Sequence, residues 1–188
     1  MVAQIKAGAF LILGALCLIW AVEGVNLLSG RQLYVFGILP RHLTGLVGIP
    51  LGPFIHGSVS HATLNTVPFL VLGGLVALRG VKTFLSTSVF IILVGGAALW
   101  LFGRFSYHIG ASILIFGYFG YLVARGWYER SVWSILTAFL TLFLYGSIIW
   151  GVLPTQSFIS WEGHLFGMLS GILAARVQGA RRLTADDP

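Results

Sequence analysis

The chain has 188 residues, 57% of them hydrophobic and only 9% charged, with a mean hydropathy of +0.95. That balance excludes a soluble domain and defines an all-α, polytopic membrane protein, because apolar runs recur along the whole length. The net charge of +6 comes without a basic stripe or aromatic-basic module, which argues against nucleic acid as a partner. The lone Cys17 rules out a disulfide framework or a CxxC site.

The first apolar run, residues 7–28, has Lys6 ahead of it and Glu23 near its far end. No small-x-small cleavage site follows, and five more hydrophobic segments do, so it reads as a first spanning helix rather than a signal peptide. Residues 29–60 form a long connection with Arg31, Pro40, Arg41, Pro50, Pro53 and the apolar stretch 46–51. A connection of that length is usually functional, and its mixed content places it partly in the membrane interface. Further spans are expected at 61–77, closed by Arg79, Gly80 and Lys82, and at 83–102, ending before Arg104. The remaining three are expected at 112–125, at 132–152 with Pro154 after it, and at 163–177. Residues 1–180 then make one six-helix membrane domain and residues 181–188 a short polar tail.

An even number of spans puts both termini on one side, and Lys and Arg decide which. Arg31, Arg41 and Arg104 fall on one face; Lys6, Arg79, Lys82, Arg125, Arg130, Arg176, Arg181 and Arg182 fall on the other. Eight against three predicts cytoplasmic termini. The second, fourth and sixth helices then all begin on the outer side, which brings His61, Ser112 and His164 to one membrane face. A helix from Ser112 to Arg125 is about 20 Å long against a hydrocarbon core of about 30 Å. Its serine is therefore expected below the surface, where a polar group is costly and tends to be functional.

Taken singly, Ser112 reads more simply as a small residue at a helix contact or a cap, and His164 as an interface histidine. Their surroundings point elsewhere. His164, Gly167 and Gly171 share one helix face, and Ser112, Phe116 and Gly120 share another, so two glycine-bearing faces can pack closely. A neutral imidazole within reach of a serine hydroxyl can take its proton, making Ser112 a candidate nucleophile and His164 a candidate general base. His61 and Asn65 lie one turn apart at the start of the second helix, with His56 five residues upstream. With the Ser112 amide they are candidate donors to an oxyanion. Glu162, two residues from His164, is expected to point elsewhere, which leaves a dyad rather than a triad. His56, His61, His108 and His164 could suggest a metal centre, but no HExxH motif and no neighbouring acidic or cysteine ligands accompany them, so neither metal nor cofactor is expected.

Three motifs in order carry a family resemblance: His56-Gly-Ser-Val-Ser-His61-Ala-Thr-Leu-Asn65, Gly110-Ala-Ser112 and His164-Leu-Phe-Gly167-Met-Leu-Ser-Gly171. Over nearly its whole length the sequence resembles the rhomboid intramembrane serine proteases. The resemblance implies Ser112 as nucleophile, His164 as base, and His61, Asn65 and the Ser112 amide as the oxyanion site. It also implies that Phe116 packs against the catalytic histidine and that the long first connection is a membrane-embedded loop. The fifth helix with the loop at 153–161 would be a lateral gate and cap. Substrates would be transmembrane segments cut at small side chains, in a bacterial plasma membrane, with the site open to the outer face. The sequence departs from the family pattern at Ile113, where glycine usually follows the nucleophile, and it has no Trp-Arg pair in the first loop. A client-binding relative that does not cut is the alternative that Ile113 supports.

Overall fold

The computed structural model describes residues 2–155 and 159–183. Residues 184–188 of the expected polar tail, and residues 156–158 of the expected cap loop, lie outside the described residues. Every element among the described residues is helical, apart from an isolated antiparallel bridge between Ile38 and His108. The main helices are α1 (Val2–Leu28), α3 (Val59–Ala77), α4 (Val81–Phe90), α5 (Gly96–Phe102), α6 (Ser112–Glu129), α7 (Val132–Tyr145) and α8 (Trp161–Leu183), with a four-residue α2 (Gly48–Leu51) in the first connection. A π-turn at Ile91–Gly95 joins α4 to α5 into one rod, and a 3-10 segment, Gly146–Val152, extends α7.

Four helical stretches among the described residues are long and apolar enough to cross a membrane: Ile5–Leu28, Val59–Ala77, Val81–Phe102 and Val132–Val152. The expectation of six spans is therefore met by length and apolarity in four places only. The other two expected segments are occupied by α6 and α8, which carry charges: Arg125 and Glu129 in α6, Glu162 and Arg176 in α8. Both run past the expected ends at 125 and 177; Glu129 in the last turn of α6 and Gln178 of α8 make polar contacts inside the protein.

The first connection differs most from its expected form. Rather than an irregular loop, it is a chain of short helical turns, Gln32–Phe36, Leu43–Val47, Gly48–Leu51 and Gly52–Phe54. Local turns satisfy backbone groups that water cannot reach, which favours them near a bilayer. Arg41 staples the connection to the end of α5 by donating to the carbonyls of Leu101 (3.2 Å) and Gly103 (2.7 Å). Trp100 Nε1 donates in return to the carbonyl of His42 at 2.9 Å. Leu43, Leu46, Val47 and Leu51 remain exposed.

α6 is the central rod, buried without a break from Ser112 to Leu122 and packed by α3, α4, α7 and α8. Its contact with α8 is made backbone to backbone. A Cβ added at Gly167 would overlap the Ile113 carbonyl, one at Gly171 the Gly117 carbonyl, and one at Gly120 the Met168 carbonyl. Such approach is available only where side chains are absent, and it is a recurrent way of joining helices in lipid. At the end of α6 away from Ser112, Glu129 Oε2 accepts from Arg125 Nε (2.7 Å), from Ser134 Oγ of α7 (2.6 Å) and from Arg79. Gln178 of α8 accepts from Tyr121 (2.9 Å) and donates to Thr87 of α4 (3.0 Å). This polar cluster fixes the register of the bundle at one end while the glycines fix it at the other.

Overpacking of this kind costs about 1–3 kcal/mol, and is least relieved when the obstacle is backbone. Gly171→Val is therefore expected to lower the thermal midpoint of the detergent-solubilised protein sharply, whereas Gly14→Val, at a position with open space around it, is expected to leave it within a degree or two. Equal melting of the two variants would contradict a backbone-limited α6–α8 contact.

Candidate active site

Gly110 prepares the start of α6. Its φ of 116° is a conformation that suits glycine, and a Cβ there would lie 2.8 Å from the His61 ring. The Gly110 amide donates to the Gly52 carbonyl at 2.9 Å, and the next amide, of Ala111, donates to His56 Nε2 at 3.3 Å. His56 thus lies behind the turn and supports it. Its own carbonyl accepts from Asn26 of α1 at 2.8 Å, which ties α1 to the same turn. Its ring meets His61 edge to face with centroids 4.9 Å apart.

His61 and Asn65 both face Gly110. Asn65 Nδ2 would be 3.6 Å from a Cβ placed there; it is buried and, among the described residues, donates to no group. A buried amide donor without an acceptor is costly and marks a place where an acceptor is expected to arrive. The amides of Ser112 and Ile113 lie in the first turn of α6, where the helix supplies them no carbonyl. α3 itself starts two residues before the expected position, because Ser58 Oγ caps it by accepting from the His61 amide at 3.0 Å.

Ser112 is nearly buried, at 9% exposure, and lines a small cleft with Gly52, Pro53, Leu99, Gly110 and Gly163. Phe116, one turn further along the same face of α6, stacks on the His164 ring at a centroid distance of 4.0 Å and an interplanar angle of 6°. With Gly167 seated on the Ile113 carbonyl, that stack brings the His164 end of α8 alongside the Ser112 end of α6. His164 Nδ1 is 2.8 Å from the Gly151 carbonyl. A carbonyl only accepts, so Nδ1 carries the proton and Nε2 presents a lone pair, the tautomer a general base needs.

Several groups around the site carried no sequence signal. Gly151 is one. Another is a bridge between the 103–111 connection and the start of α8: His108 Nδ1 lies 2.6 Å from Ser160 Oγ and its Nε2 3.1 Å from the Arg104 carbonyl. Glu162 accepts from the Arg104 amide at 3.3 Å, pairs with its guanidinium at 3.6 Å, and the same guanidinium reaches the Ile159 carbonyl. Glu162 is thereby engaged by Arg104. Ile113, at the position where glycine was expected, is buried, and its Cδ1 lies beside Gly95 of the π-turn.

A helical membrane fold with a serine and a histidine on adjoining glycine-packed helices is a class that includes intramembrane hydrolases and their non-cutting relatives. A rhomboid domain model matches residues 42–181, and the chain belongs to the rhomboid family. With its apolar helices it is an integral membrane protein. Uncharacterized proteins of Mycobacterium tuberculosis and Mycobacterium bovis are each 37% identical over 182 residues, covering 92% of this chain and 76% of theirs. One of Mycobacterium leprae is 36% identical, over 92% and 72% respectively.

His56 and His108 lie in the connections outside the spans. Burial, reinforced by the charge of neighbouring His61, lowers His56 from 6.5 to about 4, and burial also lowers His108, against the opposing pull of the Arg104 carbonyl. Both rings fold neutral, so the unfolded chain binds more protons in acid. Their contribution is complete above pH 6.5 and declines as pH falls towards 4; for His56 the loss approaches about 3 kcal/mol. The thermal midpoint in detergent is expected to drop from pH 7 to pH 4.5, and His56→Gln to drop less steeply over that range. Parallel slopes would show that His56 does not titrate on unfolding.

Proposed function

We propose that the protein is an intramembrane serine endopeptidase that cleaves transmembrane segments of other membrane proteins by a Ser112–His164 dyad. The observation that carries this reading is the buried Asn65 amide, unpaired and facing the turn that delivers Ser112. Ser112 Oγ attacks the scissile carbonyl while His164 Nε2 takes its proton. The oxyanion is received by Asn65 Nδ2, His61 and the Ser112 amide. Collapse breaks the peptide C–N bond, the proton passes from His164 to the departing amine, and an acyl-enzyme remains on Ser112. Water, activated by the same imidazole, then hydrolyses the ester.

Six spans follow from the same reading, with α6 crossing at the centre of the bundle and α8 beside it, Leu169 and Leu173 outward. Both termini are cytoplasmic and the cleft opens to the outer face. α7 with the segment behind it forms the side through which a substrate helix enters. The substrate must unwind locally to offer its carbonyl, so helix-weakening residues near the cut favour cleavage. A second reading, a rhomboid-like binder of transmembrane clients that does not cut, is favoured by Ile113 beside Ser112.

Labelling by a fluorophosphonate separates the two. Wild type is expected to be labelled, Ser112→Ala and His164→Ala not at all, and Asn65→Ala about a hundredfold more slowly. Cleavage of a panel of model transmembrane substrates is expected to follow the same order. Well-folded wild type that takes no label would favour the binder instead, and cleavage that survives both dyad substitutions would refute the dyad.

A further inference from the structure

A histidine base needs a partner on its far nitrogen to hold one tautomer and one ring orientation, a task a carboxylate performs in a triad. The acid nearest to His164 in sequence, Glu162, is engaged by Arg104. The far nitrogen is satisfied instead by the Gly151 carbonyl, at 2.8 Å, from a different element of the structure. Residue 151 also closes over the Phe116–His164 stack: a Cβ there would lie 2.8 Å from Phe116 Cζ and 3.2 Å from His164 Nδ1. The carbonyl can approach the ring this closely only because no side chain stands between them.

The segment that carries Gly151 is held to the core by the partly buried Ile148 and Val152. Gly146–Val152 contains no buried residue, and Trp150 is 69% exposed. It continues α7, whose Phe139 and Phe143 also face outward. The orientation of a buried ring thus depends on one of the least buried stretches around the site.

We propose that Gly151 is a positioning residue: its carbonyl fixes the Nδ1–H tautomer and the plane of His164, so the base is configured while segment 146–152 is seated and released when that segment moves outward with α7. The inference rests on the protease reading for its consequence, since it links access along α7 to the competence of the base. The contact itself is observable without any activity.

The test compares wild type and Gly151→Ala, both full length in detergent, by two measurements. One is the rate of Ser112 labelling by a fluorophosphonate, and the other is the 15N spectrum of the histidine rings, with His164 assigned from its loss in His164→Gln. Wild type is expected to show His164 as the Nδ1–H form. Gly151→Ala is expected to lose that signature and to label at least about tenfold more slowly with its helicity intact. An Nε2–H His164 in wild type overturns the proposal, as does a Gly151→Ala protein that keeps both the Nδ1–H signal and the wild-type rate. Should Gly151→Ala fail to fold, the wild-type tautomer decides. Wild type that shows Nδ1–H but takes no label upholds the contact and refutes the protease reading.

Discussion

The backbone contact between α6 and α8 is the constraint on which the rest of the molecule depends. Gly167 and Gly171 bring α8 against carbonyls of α6, and Gly120 returns the approach from the other side. Within a bilayer no hydrophobic force draws one apolar helix to another, so close packing of this kind has to hold the pair together. It also sets the depth and rotation of both helices at once. Phe116 can then lie flat on His164 at 4.0 Å, which is the spacing of a stacked pair with nothing between.

Around that contact the polar groups are arranged by direction of hydrogen bonding rather than by charge. His56 accepts at Nε2 from Ala111, His164 donates at Nδ1 to Gly151, and His108 lies between Ser160 and the Arg104 carbonyl. Each ring is thereby assigned a neutral role, which is the inexpensive way to keep imidazoles out of water. The carboxylates are each paired with arginine: Glu162 with Arg104, Glu23 with Arg31, Glu129 with Arg79 and Arg125. Among the described residues, Asn65 Nδ2 and His56 Nδ1 are buried donors left without an acceptor, and Asn65 is the one beside the turn before Ser112.

Ile113 shows how a departure from a family pattern is absorbed. The position after Ser112 is buried, and a β-branched side chain there needs space that a glycine would not. Its Cδ1 lies beside Gly95 of the π-turn, so the side chain is accommodated across a helix interface while α6 runs on from Ser112 without a break. Neither the π-turn nor this pairing is visible in a hydropathy profile, because an extra residue in a helix leaves the composition unchanged.

Much of the fold was legible in the chain because its causes are local. Apolar runs marked the membrane class, charges and Gly-Lys or Pro breaks marked most helix ends within a few residues, and i, i+3, i+7 spacing put His164, Gly167 and Gly171 on one face. The motifs named Ser112, His164, His61 and Asn65, and the structure gathers their neighbourhoods around Gly110 and the Phe116 stack. Other features are products of tertiary contact. The helical turns of the first connection, the support of Ala111 by His56, the engagement of Glu162 by Arg104 and the carbonyl of Gly151 on His164 all join residues far apart in sequence. A backbone carbonyl has no side-chain signature. The residue types by themselves limited which groups could do chemistry, and only packing decided which nitrogen of His164 is free to do it.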